Sequence, residues 1–280
     1  MATIQKKSVL ITGCSTGGIG SAMAKIFLER GFYVFATVRD PSAAADLTQL
    51  SNVEILELDV TDPQTISRCK DVVAQRTGGK LDVLVNNAGV ESVSPLLDVD
   101  MAEAKKIYDV NVWGPLSMVQ AFAPLLIEAK GIISYQSSID AVLSMVWAGI
   151  FASSKAAGAR ISETLRLELE PLGVRVVTVM CGSADTPMFG KPSGRMKLSE
   201  TSHYYNVQET AYKERLDHQS KAMKVHVLAD KLVKDILGGA KGKIWHGAFA
   251  PLVRFITWAF PTWLVDRMVN AERGLGHVKR

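Results

Sequence analysis

Short apolar runs alternate with longer stretches in which apolar residues recur every three to four positions, along nearly all of this 280-residue chain. Short runs of that length read as strands and the longer stretches as helices, the rhythm of repeated βα units around a parallel sheet. Ser8 to Thr12, Tyr33 to Thr37, Val53 to Leu58, Leu81 to Val85, Ile132 to Tyr135 and Val174 to Val179 are rich in Val, Ile and Leu, as strands buried on both faces require. A short seventh strand is expected at Lys243 to His246. Helices are expected to begin at Asp40-Pro41, Thr61-Asp62-Pro63 and Val99-Asp100, where N-capping side chains stand. Gly31, Gly78-Gly79, Gly131 and Gly173 sit where helix returns to strand.

No period of repeat length and no Pro/Ser/Gly-rich linker divides the chain, so one domain over residues 1–280 is expected. Two segments break the rhythm. The first, about 187–225, is long, polar and weakly periodic; following a late strand, it reads as a lid over the ligand edge of the sheet, with a solvated helical excursion as the alternative. The second, Ile244 to Met268, holds three of the five tryptophans. Its longest uncharged run, Phe255 to Val265, contains Pro261 and falls well short of the ~20 apolar residues that span a bilayer. Two readings stand: an apolar segment packed on the domain or another subunit, or an interfacial membrane contact in which Trp and Phe lie between Arg254 and Arg267.

Composition narrows the function. With 48% hydrophobic and 21% charged residues the chain is globular, and a net charge of +4 with no long basic run offers no footprint for nucleic acid. A small-molecule ligand is expected instead. Cys14, Cys69 and Cys181 are too few for a disulfide framework and have no metal spacing, which fits a reducing compartment. His203, His218, His226, His246 and His277 show no ligand spacing either and read as surface or lid residues, so no metal is expected. The N-terminal residues lack the apolar core of a secretory leader. The expected location is the cytoplasm, with the surface of an intracellular membrane as the alternative if the Trp-rich segment seeks lipid.

The first βα junction, Val9-Leu-Ile-Thr-Gly-Cys-Ser-Thr-Gly-Gly-Ile-Gly20, places glycines at 13, 17, 18 and 20 between a buried strand and a helix. Such glycines let the backbone approach a pyrophosphate that faces the helix N-terminus. Gly13, Ser15, Thr16, Gly18, Ile19 and Gly20 are the candidate cofactor contacts here. The second strand ends in Ala36-Thr37-Val38-Arg39, with no acid for a ribose 2′-hydroxyl but a guanidinium suited to a 2′-phosphate; Arg39 alternatively is a solvated loop residue. NADP(H) is therefore the expected cofactor. Asp59 and Val60, ending the third strand, lie where the adenine edge is expected; Asp59 alternatively caps the next helix.

These residues, together with Asn86-Asn87-Ala88-Gly89, Asn111 in Asn-Val-Trp-Gly, a Ser-Ser pair after the fifth strand and Lys155 in Phe-Ala-Ser-Ser-Lys, give a sequence that resembles the short-chain dehydrogenase/reductases. Within them it looks like the fungal NADPH-dependent 1-acyldihydroxyacetone-phosphate reductase-like group. The resemblance implies a doubly wound Rossmann sheet of strand order 3-2-1-4-5-6-7, cofactor contacts at Asn86, Asn87, Ala88, Gly89, Lys155, Gly182, Ala184 and Thr186, and a homodimer or homotetramer. Cys181-Gly182 stands where the family usually has Pro-Gly. The resemblance also implies a catalytic set: Asn111 holding a water, Ser138 bonding the substrate carbonyl, Lys155 binding ribose and lowering a tyrosine's pKa. The tyrosine is expected at position 151, and this chain has Phe151.

Phenylalanine fills the volume but has no proton to give, so weak carbonyl reduction is expected. Tyr135 reads as core; Tyr204 and Tyr205 lie in the lid. Phe151 is read either as a trapping substitution in an otherwise complete reductase site or as a natural departure toward a non-redox cyclase, isomerase or cofactor-binding protein. Val90, Trp113, Val142, Met145, Trp147, Met188 and Phe189 flank the catalytic positions and read either as pocket walls or as core; as walls they make a hydrophobic ketone or aldehyde, lipid-like or polycyclic, the expected substrate. Val90, Ser138, Met145, Trp147, Met188 and Phe189 form the expected pocket. Lys191, Arg195 and Lys197 offer cations for a phosphate-bearing acyl substrate, or are a solvated basic face.

Overall fold

The Val- and Ile-rich runs pair side by side. In the computed structural model, which describes residues 4–187 and 196–278, they form β1 (Ser8–Thr12), β2 (Tyr33–Val38), β3 (Val53–Glu57), β4 (Val83–Asn86), β5 (Ile132–Gln136) and β6 (Arg175–Cys181). Two-residue strands β7 (Ala184–Asp185) and β8 (Met223–Lys224) pair with each other, and β9 (Gly242–His246) completes the main sheet. The sheet order is β3-β2-β1-β4-β5-β6-β9, parallel throughout. This is the Rossmann order, its last member being ninth in the chain only because β7 and β8 stand apart.

Alternate strand residues point to opposite faces, and both faces are covered. Val9, Ile11, Val34, Val85 and Val177 pack under α1 (Ile19–Glu29) and α7 (Val225–Leu237) through Met23, Phe27, Leu232 and Ile236. Leu10, Phe35, Leu84 and Ile133 pack against α2 (Pro63–Thr77) and α4 (Gly114–Ala129) through Ile66, Val73, Met118 and Phe122. Each such Leu or Phe contributes about 1.5–3 kcal/mol by leaving water. Edge strand β3 is only partly buried, which departs from the two-sided burial its composition suggested. α3 (Met101–Tyr108) runs into α4 as one helical stretch, Met101–Ala129, which contains an apolar window long enough to cross a membrane, but half of that window is buried within the fold.

Two local expectations change. Asp40 caps its turn through Ser42 N (2.9 Å), yet Pro41–Leu47 is a kinked 3₁₀ segment and not an α-helix. The glycine loop takes the Ala43 carbonyl, which accepts from Thr16 N (2.8 Å) and Thr16 Oγ1 (3.0 Å). At the end of α4 the left-handed residue is Lys130 (φ 49°), while Gly131 is there for space: a Cβ would sit 2.7 Å from the Leu81 carbonyl oxygen and 2.8 Å from that of Asp82. Within the lid segment, the described residues from Met196 onward include a regular helix, α6 (Gln208–Ser220).

α5 (Gly149–Leu169) lies on the α4 side, where Gly158 lets the Tyr135 ring seat against the helix. The C-terminal apolar segment forms α8 (Ala250–Ala259) and α9 (Thr262–Asn270), separated at Phe260-Pro261, with Pro261 as the N-cap of α9. The inner side of the pair packs on Ile139, Leu143 and Met145, immediately beyond β5. Gly131→Ala is expected to cost about 1–3 kcal/mol by overpacking against fixed backbone, read as a lower urea midpoint. Gly276→Ala, with no neighbour near its Cβ position, should leave the midpoint unchanged.

Candidate active site

A parallel sheet leaves all its strand C-termini on one edge. That edge gathers the loop after β1, Arg39 after β2, Asp59 near the end of β3, Asn87 to Gly89 after β4, Ser138 after β5 and Gly182 after β6. Gly13 and Gly17 adopt φ +75°. A Cβ on Gly13 would lie 2.9 Å from Ala88 Cα, and one on Gly20 would lie 2.5 Å from the Gly13 carbonyl oxygen and 2.6 Å from Asn87 Nδ2. Ser15 turns the loop by accepting from Gly18 N at 2.9 Å. Ile19 then opens α1 behind Gly18, and no side chain caps that first turn. Its N–H groups therefore remain available to an anion.

The loop is stapled to β4. Thr12 Oγ1 accepts from the N–H groups of Asn87 (3.0 Å) and Ala88 (2.9 Å), while Asn87 Nδ2 donates to the carbonyls of Thr12 (2.8 Å) and Gly13 (3.0 Å). Asn87 thus shapes the cradle. Asn86 does not: its side chain turns to the α4 side, where Nδ2 donates to the Pro115 carbonyl at 3.4 Å and Oδ1 is buried without a partner among the described residues. Alternation along β4 puts it there, opposite its neighbour.

A second brace escaped the sequence reading. The Asp46 carboxylate accepts from Thr16 Oγ1 (3.0 Å), Ser21 Oγ (2.7 Å) and Lys25 Nζ (2.7 Å), tying the loop and α1 to the segment after β2. Burial pushes its pKa up, but these donors and the Lys25 charge outweigh burial, and the net direction is down. The Thr16 hydroxyl is thereby engaged inward. Arg39 is exposed, with no ion-pair partner among the described residues. Asp59 Oδ1 accepts from Thr61 N (2.8 Å) and Thr61 Oγ1 (2.7 Å), and Asp62, not Asp59, caps α2. Val60 is buried against Gly114.

Asn111 lies in a π-helical turn, Asp109–Trp113, where a helix widens by one residue. Its carbonyl accepts from the Tyr135 hydroxyl (2.9 Å); its side chain clasps Val90, accepting from Val90 N (2.9 Å) and donating to Val90 O (2.8 Å). Asn111 Nδ2 also donates to Ser154 Oγ at 3.0 Å. Ser138 caps a 3₁₀ turn, Oγ accepting from Asp140 N at 3.1 Å, which leaves its proton to be donated elsewhere. Phe151 and Lys155 are one helical turn apart on α5, hence on one face.

Lys155 is only 6% exposed. Its Nζ donates to the Gln136 carbonyl at 2.9 Å and stands 5.8 Å from the ring centroids of both Tyr135 and Phe151. Burial lowers its pKa to about 8, partly opposed by charge interactions with Cys181 and Asp140. Ser137 Oγ anchors the helix by donating to the Lys155 carbonyl at 3.0 Å. Burial raises the Cys181 thiol to about 12, an inert side chain. Gly182 has no room for a Cβ, which would meet the Ala248 carbonyl oxygen at 2.0 Å. Ala184 is buried in β7 and Thr186 is half-buried beside it.

On the substrate side, Met145 packs under α8. Trp147 is no open wall: it is buried, meets Tyr204 edge-on at 5.3 Å, and donates from Nε1 to the Arg273 carbonyl at 2.9 Å. Held at φ +68°, it joins the loop after β5 to the lid segment and the C-terminal tail. Trp113 and Val142 are exposed. Met188, Phe189, Lys191 and Arg195 lie outside the described residues; Lys197 is exposed. His246, in β9, bonds Asp235 at 2.7 Å, and no metal-binding cluster occurs among the described residues.

The short chain dehydrogenase family profile matches residues 7–196. The chain belongs to this family. A short-chain dehydrogenase of Talaromyces islandicus, cctT, is 45% identical over 97% of both chains. The NADPH-dependent 1-acyldihydroxyacetone phosphate reductase of Schizosaccharomyces pombe is 36% identical over 89% of this chain and 83% of its own. Among solved structures, a short-chain dehydrogenase from Burkholderia cenocepacia in complex with NADP superposes with a TM-score of 0.75 at 27% identity, covering 96% of this chain and 99% of that one.

In this short-chain dehydrogenase, Asp46→Asn should lower stability at neutral pH by about 1.5–3 kcal/mol, the range for hydrogen bonds to a charged group. Because the folded pKa is depressed, the wild-type advantage is present above the unfolded carboxylate pKa and is lost as pH falls through the folded one. Urea titrations from neutral to acid pH should show the two proteins converging; a constant gap would rule out the brace.

Proposed function

We propose that this chain binds NADP(H), is built as a reductase of a hydrophobic ketone or aldehyde, and is strongly impaired in the redox step because Phe151 occupies the place of the proton donor. One observation carries the reading: the buried Lys155 ammonium faces the Phe151 ring, not a hydroxyl, in a site whose other polar groups are present. The cradle fits a dinucleotide. Gly13 and Gly20 exclude any Cβ, the first turn of α1 is uncapped, and Arg39 stands exposed where a 2′-phosphate needs a cation. A relative described as NADPH-dependent and a structural neighbour solved with NADP support the same cofactor.

NADPH, when bound, supplies the hydride. Gly13, Gly18 and Gly20 would admit its phosphates, Arg39 its 2′-phosphate, and the Lys155 N–H groups not engaged by Gln136 its ribose. Ser138, oriented by Asp140 N, donates to the substrate carbonyl oxygen. That oxygen needs a proton as the carbonyl carbon is reduced, and a positioned general acid contributes about 10²–10⁴-fold. Tyr135 is no substitute, because burial raises its pKa and its hydroxyl is committed to the Asn111 carbonyl. Tyr204 is held edge-on against Trp147. The half-buried Val90, clasped by Asn111, and the half-buried Met145, in the loop after Ser138, favour a hydrophobic substrate.

A non-redox reading has one observation in its favour, the same Phe151 ring. Ser138 and the Lys155 charge polarise a carbonyl without any acid, as a cyclase, isomerase or binding protein requires.

Phe151→Tyr should raise NADPH oxidation with a panel of hydrophobic carbonyls by about 10²–10⁴-fold, followed by absorbance. A silent revertant, with the unaltered protein converting a substrate without consuming NADPH, would favour the non-redox reading. Arg39→Ala should weaken NADPH binding far more than NADH binding in calorimetric titrations; equal losses would contradict the 2′-phosphate assignment.

A further inference from the structure

The C-terminal helix pair shows a large apolar face to solvent. In α8, Ala250, Val253 and Ile256 point inward, so the outer arc is formed by Pro251, Leu252, Phe255, Trp258 and Ala259. Trp258 is 83% exposed and Trp263, opening α9, is 67% exposed. Phe255 gathers the patch, its ring 6.5 Å from that of Trp258 and 6.2 Å from that of Phe260. Chance exposure of single apolar residues is common, but a contiguous aromatic patch marks a surface that is covered in use.

The chemistry of its rim selects the cover. α8 carries no carboxylate, and its one charge is the exposed Arg254; α9 adds the exposed Arg267, with Asp266 only half-exposed. Tryptophan and phenylalanine bordered by arginine suit the boundary between headgroups and acyl chains, where rings enter and guanidiniums stay with phosphates. Helices of ten and nine residues, broken at Pro261, cannot cross a bilayer but can lie in its surface.

We propose that α8 and α9 seat this protein on anionic phospholipid membranes, with Leu252, Phe255, Trp258, Phe260 and Trp263 as the inserted groups. The seat is independent of the redox reading. Its inner side packs on Ile139, Leu143 and Met145, the loop that follows Ser138. Asn270, ending α9, clasps that loop by accepting from Val146 N (3.0 Å) and donating to the Ser144 carbonyl (2.9 Å). The membrane face and the substrate loop are therefore two sides of one packed unit.

The test is flotation with vesicles of phosphatidylcholine alone and of phosphatidylcholine with phosphatidylserine, using the full chain and the double variant Trp258→Ser, Trp263→Ser. The full chain should float with anionic vesicles, its tryptophan emission shifting to the blue. The double variant should lose about tenfold or more in partitioning per tryptophan, while its thermal midpoint and NADPH affinity stay unchanged. Arg254→Glu with Arg267→Glu should abolish the preference for anionic vesicles. Failure of the full chain to float, or flotation indifferent to both tryptophans, overturns the proposal. So does a lipid-free homodimer in sedimentation equilibrium that the double variant dissociates, which would assign the patch to a second copy of the chain.

Discussion

Lys155 is taken out of water at the joint between α5 and β5, and the candidate site is arranged around that fact. Removing an ammonium from water costs several kcal/mol even after relaxation, and here the described partners are one backbone carbonyl and two aromatic faces. The joint is correspondingly tight. Gly158 admits the Tyr135 ring, Ser137 holds the Lys155 carbonyl, and Tyr135 reaches across to the widened turn that carries Asn111. Such a charge is costly for stability and useful for a ligand rich in oxygen, which is what a ribose offers.

Opposite that joint, the cradle is held by contacts of a different kind. Thr12-Gly13 and Asn87-Ala88 share four hydrogen bonds that join the ends of β1 and β4, and Asp46 braces the outer side. The cradle makes no described contact with position 151, and the Lys155 joint meets only its ring. The shape of the site therefore calls for no hydroxyl at position 151, where the described contact is made by the ring alone.

The strands, their order and the glycine loop were legible because they rest on local patterns: two-sided Val/Ile runs, caps, and glycines that need positive φ. What the sequence hid depends on contacts remote along the chain. Asp46 meets Thr16 and Ser21 across 30 and 25 residues, and Trp147 meets Arg273 across 126. No periodicity announces such pairs. Trp147 flanks the catalytic positions along the chain, a pattern shared by pocket walls and core residues, and its indole N–H and the Tyr204 ring make it the pin between loop, lid and tail. Asn86 belonged to a recognisable motif, but alternation along β4 turned its side chain to the other face. The short 3₁₀ segment after β2 carries a real helix cap at Asp40, but its Ala43 carbonyl is taken by the glycine loop.

The central claim is an intact cofactor site without a proton donor. It is tested most directly by mixing the unaltered protein with NADPH and following nicotinamide fluorescence at equilibrium, then adding a hydrophobic ketone in a single turnover. The account predicts saturable binding with enhanced fluorescence, and a signal that decays at least about a hundredfold more slowly than in the Phe151→Tyr protein. Absence of binding, or hydride transfer at the same rate in both proteins, would contradict it.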